Sequence, residues 1–280
     1  MDKTLTGVAV AGGPGVEAAA RHALKRAAVF WFLTAVAGQW LFVYYIAGFY
    51  GPTLVSGHFE NWSRNTRLID GYIASDPVGN LFFAAHVGLA ALLTFGGTLQ
   101  LVPQIRKRAI AVHRWNGRVF LMVAIAAAIG GLYLQWVRGT ALHGKGTGVV
   151  EAAATTLDAA LIFAFVGLAW RAVRRKDIAA HRRWAIRLFL VVNGVWFLRV
   201  GFRAWMLLTG GVFGGQPFFS FWSYGAFLVP LAVYELYLRS QTAAAPAKFA
   251  MAAGLVALTL IMGLGAVTTF VVAWRPLLFG

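Results

Sequence analysis

Residues 106–114 read Arg106-Lys107-Arg108-Ala109-Ile110-Ala111-Val112-His113-Arg114, and residues 174–182 read Arg174-Arg175-Lys176-Asp177-Ile178-Ala179-Ala180-His181-Arg182. The two stretches align at an offset of 68 residues, with Arg, Ile, Ala, His and Arg identical and two further positions keeping a basic residue. After one inserted residue, Trp115 pairs with Trp184, Arg118 with Arg187 and Phe120 with Phe189. Each stretch is a basic turn between two long apolar runs. The flanking runs therefore form two copies of one helical hairpin, in parallel orientation. Self-similarity of this kind marks a repeated structural unit, and repeated units in membranes commonly share a site at their interface.

Working outward, seven apolar runs reach the length of about 20 residues that a helix needs to cross the hydrocarbon core. They lie near 27–49, 80–103, 116–137, 149–170, 184–208, 219–238 and 250–273. Lipid satisfies no free backbone group, so each run must close on itself as a helix. The alternating polarity of a membrane barrel is absent. The expected fold is all-α: a polytopic membrane protein of about seven spans. Spans two to five form a four-helix core built from the duplicated hairpin, and spans one, six and seven pack around it. No broken helix is expected, because proline is nearly absent from span interiors apart from Pro230.

Composition agrees. Of 280 residues, 60% are hydrophobic and 12% charged, against about 25% charged in a soluble domain. A soluble globule, a disordered chain and a disulfide-stapled module are excluded. No cysteine is present, which removes thiolate metal sites and cysteine nucleophiles. The net charge of +16 comes from short basic clusters between spans, as membrane topology requires. Of the 25 Lys and Arg, 18 fall on the side of the N-terminus and 5 on the other, with Arg199 and Arg203 inside the fifth run. The expected location is a bacterial inner membrane, N-terminus cytoplasmic and C-terminus periplasmic. Residues 1–26 read as a flexible cytoplasmic segment and 27–280 as a single transmembrane domain. The loop of about 50–79 is the longest on the outer side.

His113 and His181 occupy equivalent positions in the two copies, at one depth near the cytoplasmic ends of ascending helices. Two imidazoles so placed can grip a haem iron from opposite faces, with Arg114, Arg118, Arg182 and Arg187 as cations for the propionates. Arg106 and Arg183 add to that set, and Trp115, Trp184, Phe120 and Phe189 would flank the porphyrin. The other reading is boundary chemistry copied twice: basic residues and Trp belong at the membrane interface. Both readings stand at this point.

A second cluster lies toward the outer side: His86 in span two, Asp158 in span four, and Arg199 and Arg203 one turn apart in span five. Intramembrane ionisable residues face a bundle interior or a wet cavity. The best pairing is Asp158 with Arg199. This cluster reads either as a proton or quinone site with His86 carrying the proton, or as a buried ion pair that sets helix register, which is preferred. Glu235, near the inner end of span six, is placed to neutralise Arg183 or Arg187. Phosphate loops, His-Glu-x-x-His pairs and Gly-x-Ser-x-Gly turns are missing from the sequence. Gly88, Gly130, Gly131 and Gly194 read as close helix packing.

The run Gly79-Asn80-Leu81-Phe82-Phe83-Ala84-Ala85-His86, the Pro103 exit, His113-Arg114-Trp115-Asn116-Gly117-Arg118 and Asp177 through Trp184 resemble an uncharacterised family of bacterial polytopic membrane proteins, a domain of unknown function. That resemblance spans roughly residues 70 to 240. It implies a fold and no activity. More loosely, the four-helix core is similar to the cytochrome b-561 group, in which histidines on four successive helices bind two haems. The resemblance implies that His113 and His181 match the cytoplasmic pair and His86 one outer ligand. The outer partner is missing, since residues 154–156 are Ala154-Thr155-Thr156. The leading expectation is one b-type haem, or a quinone, at the inner end of the bundle, serving electron transfer. The alternatives are a non-catalytic accessory subunit of a larger respiratory or photosynthetic membrane complex, and a small-molecule transporter. Membrane lipids are expected partners and nucleic acid is not.

Overall fold

Inside a bilayer the backbone has only itself to bond with, and the described residues accordingly fold as helices. The computed structural model describes residues 13–65, 71–138, 148–212 and 214–280, all helix and connecting turns with no strand among them. Of the Lys and Arg residues counted on the two sides, Lys3, Arg67 and Lys145 lie outside the described residues.

Helix α1 runs Pro14–Ser56, 43 residues. At 1.5 Å per residue that is about 64 Å, twice the hydrocarbon thickness of about 30 Å. It begins before the expected 27 and takes in the segment 14–26 read as flexible. The reason is local: Glu17, Ala18, Ala19, Ala20, Leu24 and Lys25 are strong helix formers. Pro14 opens the helix where its missing N–H costs nothing, and Gly57, at φ 76°, ends it in the left-handed conformation.

A 3₁₀ turn, Phe59–Arg64, leads toward α2 (Pro77–Leu101), α3 (Pro103–Arg108) and α4 (Ile110–Trp136). Then come α5 (Val149–Arg174), α6 (Ile178–Val192), α7 (Gly194–Leu208), α8 (Gln216–Ser240) and α9 (Ala245–Thr269). A π-helical turn, Phe270–Trp274, carries α9 into α10, Arg275–Phe279. Among the described residues six helical stretches are long and apolar enough to cross a membrane, and α6 with α7 makes a seventh.

That seventh span is bent by 57° at Asn193, which corrects the expectation of no broken helix. The cause is visible in the residues. The Asn193 side-chain Nδ2 donates to the Phe189 carbonyl at 2.8 Å, competing for the acceptor that its own N–H would use in a continuous helix. Gly194 then adds the poorest helix former short of proline.

The duplicated hairpin is present in the backbone. Helices α4 and α6 begin at the equivalent residues Ile110 and Ile178, after N-caps Ala109 and Asp177. The copies differ in their turns. Pro103 restarts the first copy as the short α3. The second has Arg171 there, and α5 runs on to Arg174. Asp177 accepts from the Ala180 N–H at 2.9 Å, a side-chain cap that Ala109 lacks.

Beyond the bend, α7 packs against α9 and α1. Trp196 is fully buried and donates through Nε1 to the Gly38 carbonyl at 3.2 Å. A Cβ on Gly38 would meet the Trp196 ring at 2.7 Å, so glycine is what admits the indole. Tyr45 of α1 stacks on Trp274 of the π turn at 5.2 Å, and Phe42 lies 5.3 Å from the same ring. At the N-terminal face Lys248 donates to Glu17 and to the Ala243 carbonyl, fastening α9 to α1.

Gln39 of α1 is fully buried, and both its amide atoms lack a partner. An unsatisfied buried polar group costs about 1–3 kcal/mol. Gln39→Met is therefore expected to raise the thermal unfolding temperature in detergent; a lower value would contradict the burial cost assigned to this amide.

Candidate functional site

Three ionisable side chains reach one depth by three routes. His86 is the tenth residue of α2, Asp158 the tenth of α5, and Arg199 the tenth from the end of α7. All three helix ends lie at the face opposite the N-terminus. Nine steps of 1.5 Å place each residue about 14 Å in, roughly midway through the hydrocarbon.

There they line a cavity of about 220 Å³ walled by α2, α4, α5, the end of α6, α7 and α8. The space exists because its walls are made of small residues: Ala90, Ala124, Ala127, Ala128, Ala154 and Ala159. It lies between the two copies of the hairpin, and the copies treat it differently. His86 has Ala154 as its equivalent, Asp158 has Ala90, and the bend residue Asn193 has Ala124. Duplication built the frame, and divergence put the polar groups into it.

Each group is held differently. His86 Nδ1 donates to the Ala127 carbonyl at 3.0 Å, so its Nε2 is the free nitrogen. Gly130 and Gly131 pack against the imidazole, where a Cβ on either would stand at ordinary contact distance, 3.4 Å. That is the close packing expected of these glycines, applied to a side chain. Arg199 folds back so that Nη1 donates to the Val195 carbonyl at 2.9 Å, and its guanidinium lies 5.3 Å from the Phe42 ring centre. It is within electrostatic reach of His86, Tyr45 and Tyr50.

The expected pairing of Asp158 with Arg199 does not form. No ion pair involves either residue among the described residues, and Asp158 Oδ1 is buried without a hydrogen-bond partner. The bend explains it. Asp158 lies beside the start of α7, with Oδ2 3.5 Å from where a Gly194 Cβ would be. Arg199 turns instead toward α1. The first N–H groups of a helix lack internal partners and carry partial positive charge. Asp158 thus faces the open end of a half-helix within the membrane.

Glu151, at the start of α5, closes the cavity toward the far face. It is 4% exposed and accepts from Gln216 Nε2 at 2.9 Å and from the Ser220 hydroxyl, binding α5 to α8. The sequence reading did not single it out, because it lies in the first turn of a helix where acidic residues are ordinary. Arg199 also borders a smaller cavity of about 70 Å³ with Tyr45, Asn65, Arg203 and Trp274. Asn65 Nδ2 donates to the Tyr45 and Tyr50 hydroxyls at 2.9 and 2.8 Å.

At the other end, His113 and His181 are within electrostatic reach of one another. His181 Nδ1 donates to the Ala169 carbonyl at 3.0 Å. His113 Nδ1 is buried without a partner, while the His113 carbonyl accepts from Gln100. The surroundings are not those of a porphyrin slot. Neither cavity touches either histidine. Trp115 is 65% exposed toward the surroundings, with Arg118 5.1 Å over its ring. Phe120 and Phe189 are buried against Gly97 in the core. Arg187 is not free for a propionate: Nε and Nη2 bond both Glu235 oxygens at 2.7 and 2.9 Å, the pairing expected for Glu235. Arg114, Arg118 and Arg182 are exposed. The aromatic residues therefore do not fit a haem between these histidines as arranged here.

Fold and cavity together define a polytopic helical membrane protein with a polar chamber among its spans. Residues 83–238 match the family described as a predicted membrane protein, DUF2306, and the chain belongs to that family. Every residue lining the larger cavity falls within the matched segment. The match agrees with the family resemblance carried by residues 79–86, 113–118 and 177–184 and lends nothing to the cytochrome b-561 group. Neither a curated protein nor a solved structure matches the chain.

Removing one donor to a buried carboxylate costs about 1.5–3 kcal/mol. Ser220→Ala is therefore expected to lower the unfolding temperature by loosening Glu151 and the α5–α8 contact; an unchanged melting curve would show that this bond does not close the chamber.

Proposed function

We propose that the protein is a small-molecule transporter whose binding site is the chamber at the bend of the fifth span. The observation that carries this reading is the break at Asn193-Gly194 beside an unpartnered Asp158. Discontinuous helices whose half-helix ends face a midplane cavity at a repeat interface are the common construction of secondary transporters. Ionisable groups are kept in hydrocarbon for a task, since their burial is costly. The volume of about 220 Å³ falls below the roughly 300–1,000 Å³ of sites for drug-sized ligands, so the cargo is small. The basic clusters support an orientation with the N-terminus in the cytoplasm of a bacterial cell. In that orientation Glu151 stands at the periplasmic end of the chamber.

Transport requires the chamber to be reached from both sides in turn. The chain has no cysteine, so single replacements report without background. Thr155→Cys and Ile162→Cys line the chamber toward its two ends. In proteoliposomes each is expected to react with a membrane-impermeant thiosulfonate reagent supplied on either side. Reaction from one side alone at both positions would leave a binding site and no transport.

A second reading keeps the electron-transfer expectation. Its support is the matched placement of His113 and His181 and the Ala169 bond of His181, which leaves Nε2 available as a ligand, as in metal-bound histidines whose other nitrogen donates to a carbonyl. A haem there requires Trp115 or the α4 and α6 ends to rearrange. Purified protein of this type is red, with a Soret band lost in both His113→Ala and His181→Ala. A colourless preparation that takes up no haemin excludes it.

A further inference from the structure

We infer that the ligand of the chamber is a small zwitterion, a carboxylate and an ammonium carried on an apolar body. The inference rests on the proposed transport site and names its cargo class.

The chamber holds one strong cation and one unengaged carboxylate. Arg199 makes no ion pair among the described residues. Its side-chain hydrogen bond, Nη1 to the Val195 carbonyl, leaves the rest of a five-donor guanidinium for other acceptors. Asp158 Oδ1 is buried and unpartnered. Glu151 does not compete, because its carboxylate is held by Gln216 and Ser220. Leaving a carboxyl group and a guanidinium unpaired in hydrocarbon is expensive, and the direct remedy, a mutual ion pair, is not taken. The bend at Asn193 keeps them apart, with Asp158 at the start of α7 and Arg199 drawn toward Phe42.

A ligand with one charge would satisfy one group and repel the other. A zwitterion satisfies both: its carboxylate takes the Arg199 donors, planar and suited to two-point binding, and its ammonium takes Asp158. His86 lines the same chamber within electrostatic reach of Arg199, and its Ala127 bond engages Nδ1 and leaves Nε2. Most of the rest of the wall is alanine, leucine, isoleucine, valine and phenylalanine, with Gln135, Thr155 and Ser223 the polar exceptions, which suits a largely apolar body.

Three probes of one carbon skeleton separate the cases: norleucine, hexanoate and hexylamine. Each is titrated against the full chain in lipid nanodiscs by calorimetry. Norleucine is expected to bind more tightly than either singly charged analogue. A hydrogen bond to a charged group carries about ten- to a hundredfold in affinity, and Arg199→Gln and Asp158→Asn are each expected to weaken norleucine by that factor. Arg199→Lys keeps the charge and is expected to retain part of the binding, which separates lost recognition from lost folding. Asp158→Asn is expected to leave hexanoate affinity unchanged or improved. Hexanoate or hexylamine binding as tightly as norleucine overturns the zwitterion and leaves the transport site standing. No binding of any probe to a folded chain overturns the assignment, and two-sided thiol access then still tests transport independently.

Discussion

A helix that ends inside hydrocarbon exposes backbone groups that lipid cannot satisfy. This constraint organises the protein around Asn193-Gly194. Once the fifth span bends there by 57°, the open start of α7 needs polar company, and the chamber supplies it with Asp158. The same bend swings the second half of the span away from the hairpin that contains its first half. Helix α7 then packs on α1 and α9, with Trp196 seated on Gly38 and Val200 against Gly265. The chamber is the space left between a hairpin pair that would otherwise close and a half-helix that has left it.

Symmetry and its loss explain the placing of the polar groups. Both copies of the hairpin present alanine toward their shared interface, and at three places one copy departs from it: His86 against Ala154, Asp158 against Ala90, Asn193 against Ala124. Polar residues arising on both copies at one position would stack like groups face to face. Arising on one copy each, they distribute a base, an acid and a bend around a single void. The tight elements sit at the edges. Glu151 with Gln216 and Ser220 binds the far end, Arg187 with Glu235 binds α6 to α8, and Lys248 with Glu17 binds the N-terminal face.

Much of this was legible in the residues. Seven apolar runs named the spans, and the repeated Arg-x-x-x-Ile-Ala-x-His-Arg turn named the duplication, but the helices start at Ile110 and Ile178, ahead of the expected 116 and 184, because the basic turn residues join the first helical turns. The partner of Glu235 was legible because a basic cluster at a membrane boundary leaves few choices. The paired histidines are the basis of the haem expectation at the N-terminal face. Equivalent positions in a repeat share depth, and nothing in the spacing tells whether two rings enclose a slot. The Asp158–Arg199 pairing failed for a related reason: depth was right, but a bend turned one partner aside. The bend itself had a signal in the Asn-Gly dipeptide, a turn former, outweighed by the absence of proline.

By itself the sequence determined that this chain is a bundle of membrane helices built on a doubled hairpin, because hydrocarbon thickness and backbone hydrogen bonding leave no other solution for runs so long and apolar. Only the tertiary structure decided where the void lies and which charges share it without pairing. Those depend on helix rotation and on a single side-chain-to-backbone bond at Asn193, quantities that neither length nor hydropathy contains.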